Sequence, residues 1–457
     1  MLLFQISYSA VDNVLIIGAG KSGIASALLA KRQGFDRIFV TEKGSEENYL
    51  EAKRIFEANS IEFEFGKHSF NLLSDFELVV VSPGVPPDAE IIVEAERLNK
   101  RIVSEVEFAY SFCKNSIIGI TGTNGKTTTT ALVEFILNTA GKKAIAVGNI
   151  GAPFSDYVDK VEPETIFVLE LSSYQLDRIE KFKPDVAIIL NITPDHLKYH
   201  KTFSNYRNAK FRIFANQKEN DLLILNFDDK ETLIAKSQAG GKVAYFGLKP
   251  VEFGAYLNGD EICLRFPENS NEEVVMKAGD IKIPGVHNLY NSLASIVAVR
   301  SFEVQNEQIR YALMNFQGVE HRLEFVREID GVTYINDSKA TNVDSAYYAL
   351  SSYTRPIIWI AGGRSDNNDY DFLDDVVEKN VKAIVLIGEA KGEIFNHFCT
   401  MKRCYLEDSL EEAVHRAREI ADEGDIVLLS PACKSFDMFR NFEHRGQVFK
   451  EIVNSLK

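Results

Sequence analysis

The stretch Ile117-Ile118-Gly119-Ile120-Thr121-Gly122-Thr123-Asn124-Gly125-Lys126-Thr127-Thr128 constrains this chain more than any other. An apolar run, a glycine-rich turn and a predicted helix over Thr127–Thr139 follow one another without a break. That is the pattern of a buried strand feeding a helix through a phosphate loop. A helix N-terminus offers unpaired backbone N–H groups and the positive end of a dipole. Gly122 and Gly125 let the backbone curl around a phosphate with no Cβ in the way, and Thr123, Asn124 and Thr128 complete the cradle. Lys126 is placed to reach the β- and γ-phosphates, and the Thr127 hydroxyl to ligate Mg²⁺. The general pattern G-x-x-x-x-G-K-[ST] has glycine where this chain has Ile120, so the match is incomplete. A glycine turn that binds nothing is the plain alternative. The residues favour ATP and a reaction that uses it.

At 457 residues the chain has room for roughly three domains. Its 45% hydrophobic and 26% charged content is that of a globular protein with a sizeable core. The five cysteines form no C-x-x-C pair, so neither a zinc ribbon nor a redox motif is indicated, and a reducing cytoplasm is expected. Met1 to Asn13 has no basic region followed by a long apolar run, so no signal peptide is expected. No stretch reaches the ~18 apolar residues of a membrane span. A net charge of −15 argues against a nucleic-acid surface but leaves room for a small anionic substrate held by local cations.

Val14–Ile17, the turn Gly18-Ala19-Gly20-Lys21-Ser22-Gly23, a helix to about Arg32 and a strand Arg37–Thr41 predict a β–turn–α–β unit of dinucleotide-binding type. Glu42 takes the place of the acidic residue expected at the end of the second strand. Val79–Val81 predicts another strand, ending in Ser82-Pro83-Gly84 at the sheet edge where open α/β sheets bind ligands. A purely structural turn at Gly18 is the alternative. The first domain is expected to cover 1–103.

A second domain, 104–317, carries the phosphate loop. Its further strands are expected at Ala144–Val147, Thr165–Leu169, Val186–Leu190 and Asp221–Leu225, with a helix over Phe203–Gln217. Residues 240–282 alternate more and predict an antiparallel portion. A helix start follows around Asn288 and Asn291. In the third domain, 318–457, strands are expected at Thr333–Asn336, Ile357–Ala361, Ala383–Ile387 and Ile426–Leu429, with a last helix over Asn441–Leu456. Strands alternating with helices imply parallel sheets. The fold class expected is α/β with three domains: two Rossmann-like ones flanking a central phosphate-loop domain with a small antiparallel β portion.

An ATP–Mg²⁺ site needs hard oxygen ligands near the loop. Glu170 and Asp195-His196 each follow a strand expected beside the loop strand, and Lys210 lies on the next helix. A carboxylate after a strand is often only a helix cap, but several converging at one sheet edge point to a site. Asp337-Ser338-Lys339-Ala340-Thr341-Asn342 puts a lysine and a carboxylate at a helix entrance. His321-Arg322 at the domain junction suggests basic groups that close over a nucleotide. A surface ion pair is the bland reading of Arg322.

Together these segments resemble the Mur ligases, the ATP-dependent amide ligases of peptidoglycan synthesis. The resemblance rests on Thr121 to Thr127, Glu170-Leu171-Ser172-Ser173, Asn191 to His196, His321-Arg322 and Asp337 to Asn342, in order along the chain. Leu429 to Asp437 and Asn441 to Gly446 resemble the branch of that family that adds D-glutamate to UDP-N-acetylmuramoyl-L-alanine. The resemblance implies an acyl phosphate formed from ATP, attacked by the amine of D-glutamate. It implies uridine-nucleotide contacts at Gly20, Lys21, Ser22, Glu42, Lys43 and Gly84. Asn149, Glu170 and His196 match magnesium and substrate positions, with two Mg²⁺ ions in all. Asn288 and Asn291 match the adenine side, and Arg322 and Lys339 nucleotide-closing positions. Thr341, Ser435, Phe436 and Phe442 match the D-glutamate pocket, and the lysine matching Lys210 is carbamylated in the family. Lys126, Lys210, His196 and Lys339 are the expected catalytic residues, and Thr127, Glu170, His196 and carbamylated Lys210 the metal ligands.

The family pattern places a lysine where this chain has Asp366, which would repel a substrate with two carboxylates. Arg364, two residues earlier, can replace that charge. The alternatives are a solvated Arg364 or a different amino acid. A cytoplasmic monomer acting on small molecules is expected. Three other functions stay open: another Mur ligase or folylpolyglutamate synthetase-type ligase, a nicotinamide oxidoreductase using the turn at Gly18, and a regulatory ATP-binding module without turnover.

Overall fold

The computed structural model describes residues 13–149, 151–266, 269–365 and 368–457. Asp366, and the N-terminal stretch read for a signal peptide up to Asp12, lie outside the described residues. Two compact units emerge. One holds residues up to Ile281 with Tyr290–Asn315, the other Lys282–Leu289 with Phe316–Lys457. Three sheets organise three α/β domains, two sheets in the first unit and one in the second.

The first sheet is wholly parallel, with strands in the order Glu62–Phe65, Arg37–Glu42, Asn13–Ile17, Leu78–Val81, Arg101–Ser104. Val14 to Ile17 and Leu78 to Val81 are unbroken apolar runs because these inner strands are buried on both faces. The central sheet runs Asn269–Lys277, Glu261–Phe266, Gly254–Asn258, Lys242–Gly247, Leu222–Asn226, Val186–Ile189, Ile117–Thr121, Ile166–Glu170, Ala144–Gly148. The loop strand Ile117–Thr121 thus sits between the strands that end at Glu170 and at Ile189. One apolar core continues from the helix Lys21–Arg32 into the central sheet. It is crossed by buried Glu107, whose carboxylate accepts the backbone N–H groups of Glu180, Lys181 and Phe182 at 2.8–3.0 Å.

Two expectations for the second domain need correcting. Residues 240–282 are not antiparallel throughout. Lys242–Gly247 and Gly254–Asn258 pair in parallel, and only Glu261–Phe266 and Asn269–Lys277 fold back as hairpins. The close approach at Gly254 (φ +134°) needs glycine, since a Cβ there would lie 1.7 Å from the Tyr245 carbonyl oxygen. The helix expected over Phe203–Gln217 is α-helical only to Phe211 and tightens into a 3₁₀ turn, Arg212–Phe214. Arg212 donates to the Leu176 carbonyl and Gln217 to those of Pro184 and Leu222, and these anchors draw the chain off the helix axis.

In the second unit the sheet order is Glu324–Ile329, Val332–Asn336, Ile426–Leu429, Ile357–Gly362, Val381–Ile387, Arg403–Leu406, parallel except for the first pair. Trp359 is buried in its core. The last helix, Phe442–Ser455, is capped by the Asn441 side chain.

Candidate active site

At the first glycine turn, Gly18 has φ +102° and packs where a Cβ would lie 2.8 Å from Ser82. This fixes the turn to the end of the neighbouring strand, where Ser82 N–H donates to the Ile17 carbonyl. The Glu42 carboxylate accepts from Ala19 N–H at 2.9 Å and Gly44 N–H at 2.8 Å. It therefore shapes both loops. Gly20, Lys21, Lys43 and Gly84 are exposed around this edge, and Ser22 is half-buried.

At the second loop, Gly122 (φ +155°) and Gly125 (φ +84°) turn the chain into the helix Lys126–Thr139. Asn191, at the end of the adjacent strand, clamps the loop. Its side-chain oxygen accepts from Asn124 N–H at 2.8 Å, its amide donates to the Asn124 carbonyl at 3.1 Å, and its own carbonyl accepts from Thr123 N–H. Thr127 and Thr128 are buried at the helix entrance, and Asn291 lies against Gly125. Lys126 donates to the carbonyls of Gly122 and Thr123 at 2.9 and 2.8 Å. Lys210, only 1% exposed, donates to the same Gly122 carbonyl at 2.8 Å. Burial holds the Lys210 ammonium well below the usual lysine range. Nearby Lys126 pushes the same way, against Asp195 and Glu170.

Glu170 is 2% exposed. One of its oxygens accepts from Asn149 at 2.9 Å, and the other is buried with no hydrogen-bond partner. A buried carboxylate oxygen without a donor is costly unless something cationic completes it. His196 stands in a left-handed conformation (φ +54°), its ring 3.4 Å from Asp195 and 5.0 Å from the Tyr174 centroid. Burial lowers its pKa, opposed by Asp195 and assisted by Lys210 and Lys126. The Glu170 carboxylate and the Thr127 hydroxyl are hard oxygen donors of the kind Mg²⁺ takes, and they fit that ion.

In the second unit, Asp337 is buried, accepting from Leu323 N–H and the Ser430 hydroxyl. Burial pushes its carboxyl up to about 7, against the pull of Arg322. Fully buried Arg445 donates to the hydroxyl and carbonyl of Ser338 and to the Cys433 carbonyl, and Ser338 donates to the Phe442 carbonyl. These bonds tie together the segments that carry Lys339 and Thr341, Ser435 and Phe436, and Phe442. The Lys339 ammonium lies 5.7 Å from the Phe442 ring centroid. Ser435 is buried, Thr341 half-buried, and Phe436 61% exposed. Arg364 pairs with Lys434 through the backbone in both directions. Its side chain is 57% exposed, 3.6 Å from Glu389. Asn288 donates to the Pro284 carbonyl at 2.7 Å.

Three family descriptions match the chain: "MurD N-terminal domain" over residues 13–91, "Mur ligase middle domain" over 120–299, and "Mur ligase, glutamate ligase domain" over 321–433. A UDP-N-acetylmuramoylalanine–D-glutamate ligase of Caldicellulosiruptor bescii is 43% identical, across 97% of this chain and 98% of its own. One from Salinibacter ruber is 41% identical, across 96% and 97%.

The chain belongs to the Mur ligase family.

Solved structures agree at the level of fold. A UDP-N-acetylmuramate–alanine ligase of Thermotoga maritima superposes with TM-score 0.59 at 21% identity, across 97% of this chain and 100% of that one. MurF of Acinetobacter baumannii gives 0.59 at 17%, across 97% and 93%. In this Mur ligase the first unit brings together Lys126, Thr127, Asn149, Glu170, His196, Lys210 and Asn291. Asn288, Arg322 and Lys339 belong to the second unit. Sequence pattern alone assigns no separate role to Asn191, Tyr206 or Arg445. Asn191 and Arg445 had one available signal: a polar residue directly after a strand, and an arginine on the apolar face of a helix.

Proposed function

We propose that the protein is an ATP-dependent amide ligase of peptidoglycan precursor synthesis. It joins D-glutamate to UDP-N-acetylmuramoyl-L-alanine and releases ADP and phosphate. The observation that carries this is near-full-length similarity above 40% to ligases of that name, on a chain whose strand beside the phosphate-loop strand ends in buried Glu170 with an unsatisfied oxygen. Amide formation from a free carboxylate lacks a good leaving group. Transfer of the ATP γ-phosphoryl to the alanyl carboxylate supplies one, the D-glutamate amine attacks the resulting acyl phosphate, the amine loses a proton and phosphate departs.

Lys126 neutralises charge on the phosphoryl oxygens, within the cradle formed by Gly122, Thr123, Asn124, Gly125 and Thr128. Thr127, Glu170 and His196 would hold two Mg²⁺ ions, with Lys210 as a carbamate and Asn149 orienting Glu170. Bound Mg²⁺ supplies charge neutralisation at the transferring phosphoryl and the acceptor carboxylate. Gly20, Lys21, Ser22, Glu42, Lys43 and Gly84 serve the uridine nucleotide. Asn288, Asn291, Arg322 and Lys339 serve ATP. Thr341, Arg364, Ser435, Phe436 and Phe442 serve D-glutamate. No helix among the described residues is long and apolar enough to cross a membrane, and the reading places a monomer in the cytoplasm.

The test is product mass after incubation with ATP, Mg²⁺, UDP-N-acetylmuramoyl-L-alanine and a panel of D- and L-amino acids. A product heavier by one glutamyl residue, formed with D-glutamate and accompanied by phosphate, is the expected result. Turnover with another amino acid, or none with D-glutamate, overturns the reading.

A further inference from the structure

His200 has no part in the chemistry set out above, yet it touches the segments that carry Glu170, His196 and Lys210. Its Nε2 lies 2.9 Å from the hydroxyl of Ser173, which is buried just past Glu170 at the start of the helix Ser173–Asp177. Its N–H donates to the carbonyl of His196 at 3.1 Å. Its carbonyl accepts from Thr202 N–H at 2.8 Å and from the Asn205 side chain at 2.9 Å. Thr202 caps the helix Phe203–Phe211 that carries Lys210. The imidazole stacks on Tyr174 (5.7 Å between centroids, 20°) and meets Tyr206 edge-on at 5.3 Å. The Tyr206 hydroxyl in turn lies 3.1 Å from the Thr123 hydroxyl of the phosphate loop, and its ring lies 4.6 Å from the Lys210 ammonium.

Glu170, His196 and Lys210 come from three different elements, and a metal-binding set works only if their spacing is held to a fraction of an ångström. Groups that orient ligands from behind are worth as much as some ligands. Arg212, at the far end of the Lys210 helix, donates to the Leu176 carbonyl, and His200 supplies the tie at the Ser173 end. Resting on the function proposed above, we infer that His200 is a positioning residue. Through its bond to Ser173 it fixes the Glu170 segment against the turn bearing His196 and the helix bearing Lys210.

The full-length protein tests this with three single variants and one double. His200→Phe keeps a buried ring but loses the bond to Ser173, Ser173→Ala loses it from the other side, and His200→Gln can restore a donor near Nε2. His200→Phe and Ser173→Ala are each expected to lower kcat about 10-fold and raise the Mg²⁺ concentration for half-maximal activity by a similar factor. KM for the UDP-substrate should change less than about twofold. The double variant should be no worse than either single one, and His200→Gln should recover most of the loss. A readout apart from turnover is the Lys210 carbamate signal in ¹³C NMR with labelled bicarbonate, which should need more bicarbonate to appear in His200→Phe than in the parent. Parental kcat, Mg²⁺ dependence and carbamate signal in both single variants overturn the inference. So do losses that add in the double variant or that track thermal stability alone. An unmutated protein that makes no D-glutamyl product fails the ligase reading itself, a result distinct from an active parent whose His200 variants are unchanged.

Discussion

The turn after strand Asn13–Ile17 and the loop after strand Ile117–Thr121 leave their sheets alike. Each starts with a glycine at positive φ (+102° at Gly18, +155° at Gly122), enters a helix directly, and lies beside a carboxylate from a neighbouring strand. They differ in what that carboxylate does. Glu42 is satisfied by two backbone N–H groups, so its charge is spent on the shape of the turn. Glu170 has one oxygen oriented by Asn149 and the other left without a partner, beneath two lysines that crowd one carbonyl. The first turn is a backbone surface closed by its own carboxylate, with Lys21 and Lys43 exposed around it. The second leaves a buried carboxylate oxygen with no partner in the protein. A glycine pattern reports backbone conformation in both cases; the neighbouring side chains decide the chemistry.

The largest effect that would sharpen this contrast is at Lys126. Lys126→Ala should lower substrate-dependent phosphate release about 10²-fold or more, with the UDP-substrate still bound and the fold intact by circular dichroism. Near-parental turnover would remove the second loop from the chemistry and with it the difference between the two.

Lys210→Ala comes next. Burial already favours the neutral amine, the form that takes up CO₂, and the carbamate proposed above would add an anionic oxygen ligand near Glu170. Loss of about 10²-fold in kcat is expected, with partial recovery on adding short-chain carboxylic acids that occupy the vacated space. An active alanine variant, or no rescue together with an unmodified lysine by mass spectrometry, counts against the carbamate.

Much of this was legible in the sequence, and what escaped it has two physical causes. The strands under both glycine loops were found because they are buried on two faces and read as continuous apolar runs. The four unexpected strands, Glu62–Phe65, Arg101–Ser104, Glu324–Ile329 and Arg403–Leu406, are the edges of the two outer sheets. Edge strands are short and mix charge with apolar residues, as in Glu62-Phe63-Glu64-Phe65, so they carry no such run. At the site, the residues on glycine loops and strand ends were found by their place in local patterns. The clamp of Asn191 on Asn124, the tie of His200 to Ser173 and the clasp of Arg445 on Ser338 join positions far apart in sequence, which periodicity cannot pair. Lys210 was placed on a helix, but that its amine shares the Gly122 carbonyl with Lys126 is visible only once the chain is folded.

A milder test bears on the first turn. Glu42→Gln keeps the size of the side chain but replaces a charged acceptor of two backbone bonds with a neutral amide. KM for UDP-N-acetylmuramoyl-L-alanine should rise about 10-fold, equivalent to about 1.4 kcal/mol, with kcat at saturating substrate nearly unchanged. A fall in kcat with KM intact would mean that Glu42 acts on the reaction and that the two loops are less different than their hydrogen bonds indicate.

The smallest effect is expected at a third glycine loop, which extends the comparison into the second unit. Strand Ile357–Gly362 ends in Gly362 (φ +114°) and Gly363 (φ +133°), and Arg364 follows. Here the backbone is fixed by reciprocal bonds between Arg364 and Lys434, while the guanidinium is 57% exposed and only 3.6 Å from Glu389. That pairing is too exposed to hold the arginine firmly, so the side chain is available to a substrate carboxylate. Exposed charges contribute up to about 1 kcal/mol, so Arg364→Ala should raise KM for D-glutamate about 5-fold. Acyl-phosphate formation precedes attack by the amino acid, and trapping of the acyl phosphate in the absence of D-glutamate should proceed at the parental rate. An unchanged KM would leave D-glutamate to Thr341, Ser435 and the surrounding backbone, and place this loop with the first, where the neighbouring carboxylate only shapes the turn. A preference for a neutral or basic amino acid in the parent protein would remove the need for a cation here, and the assignment of D-glutamate with it.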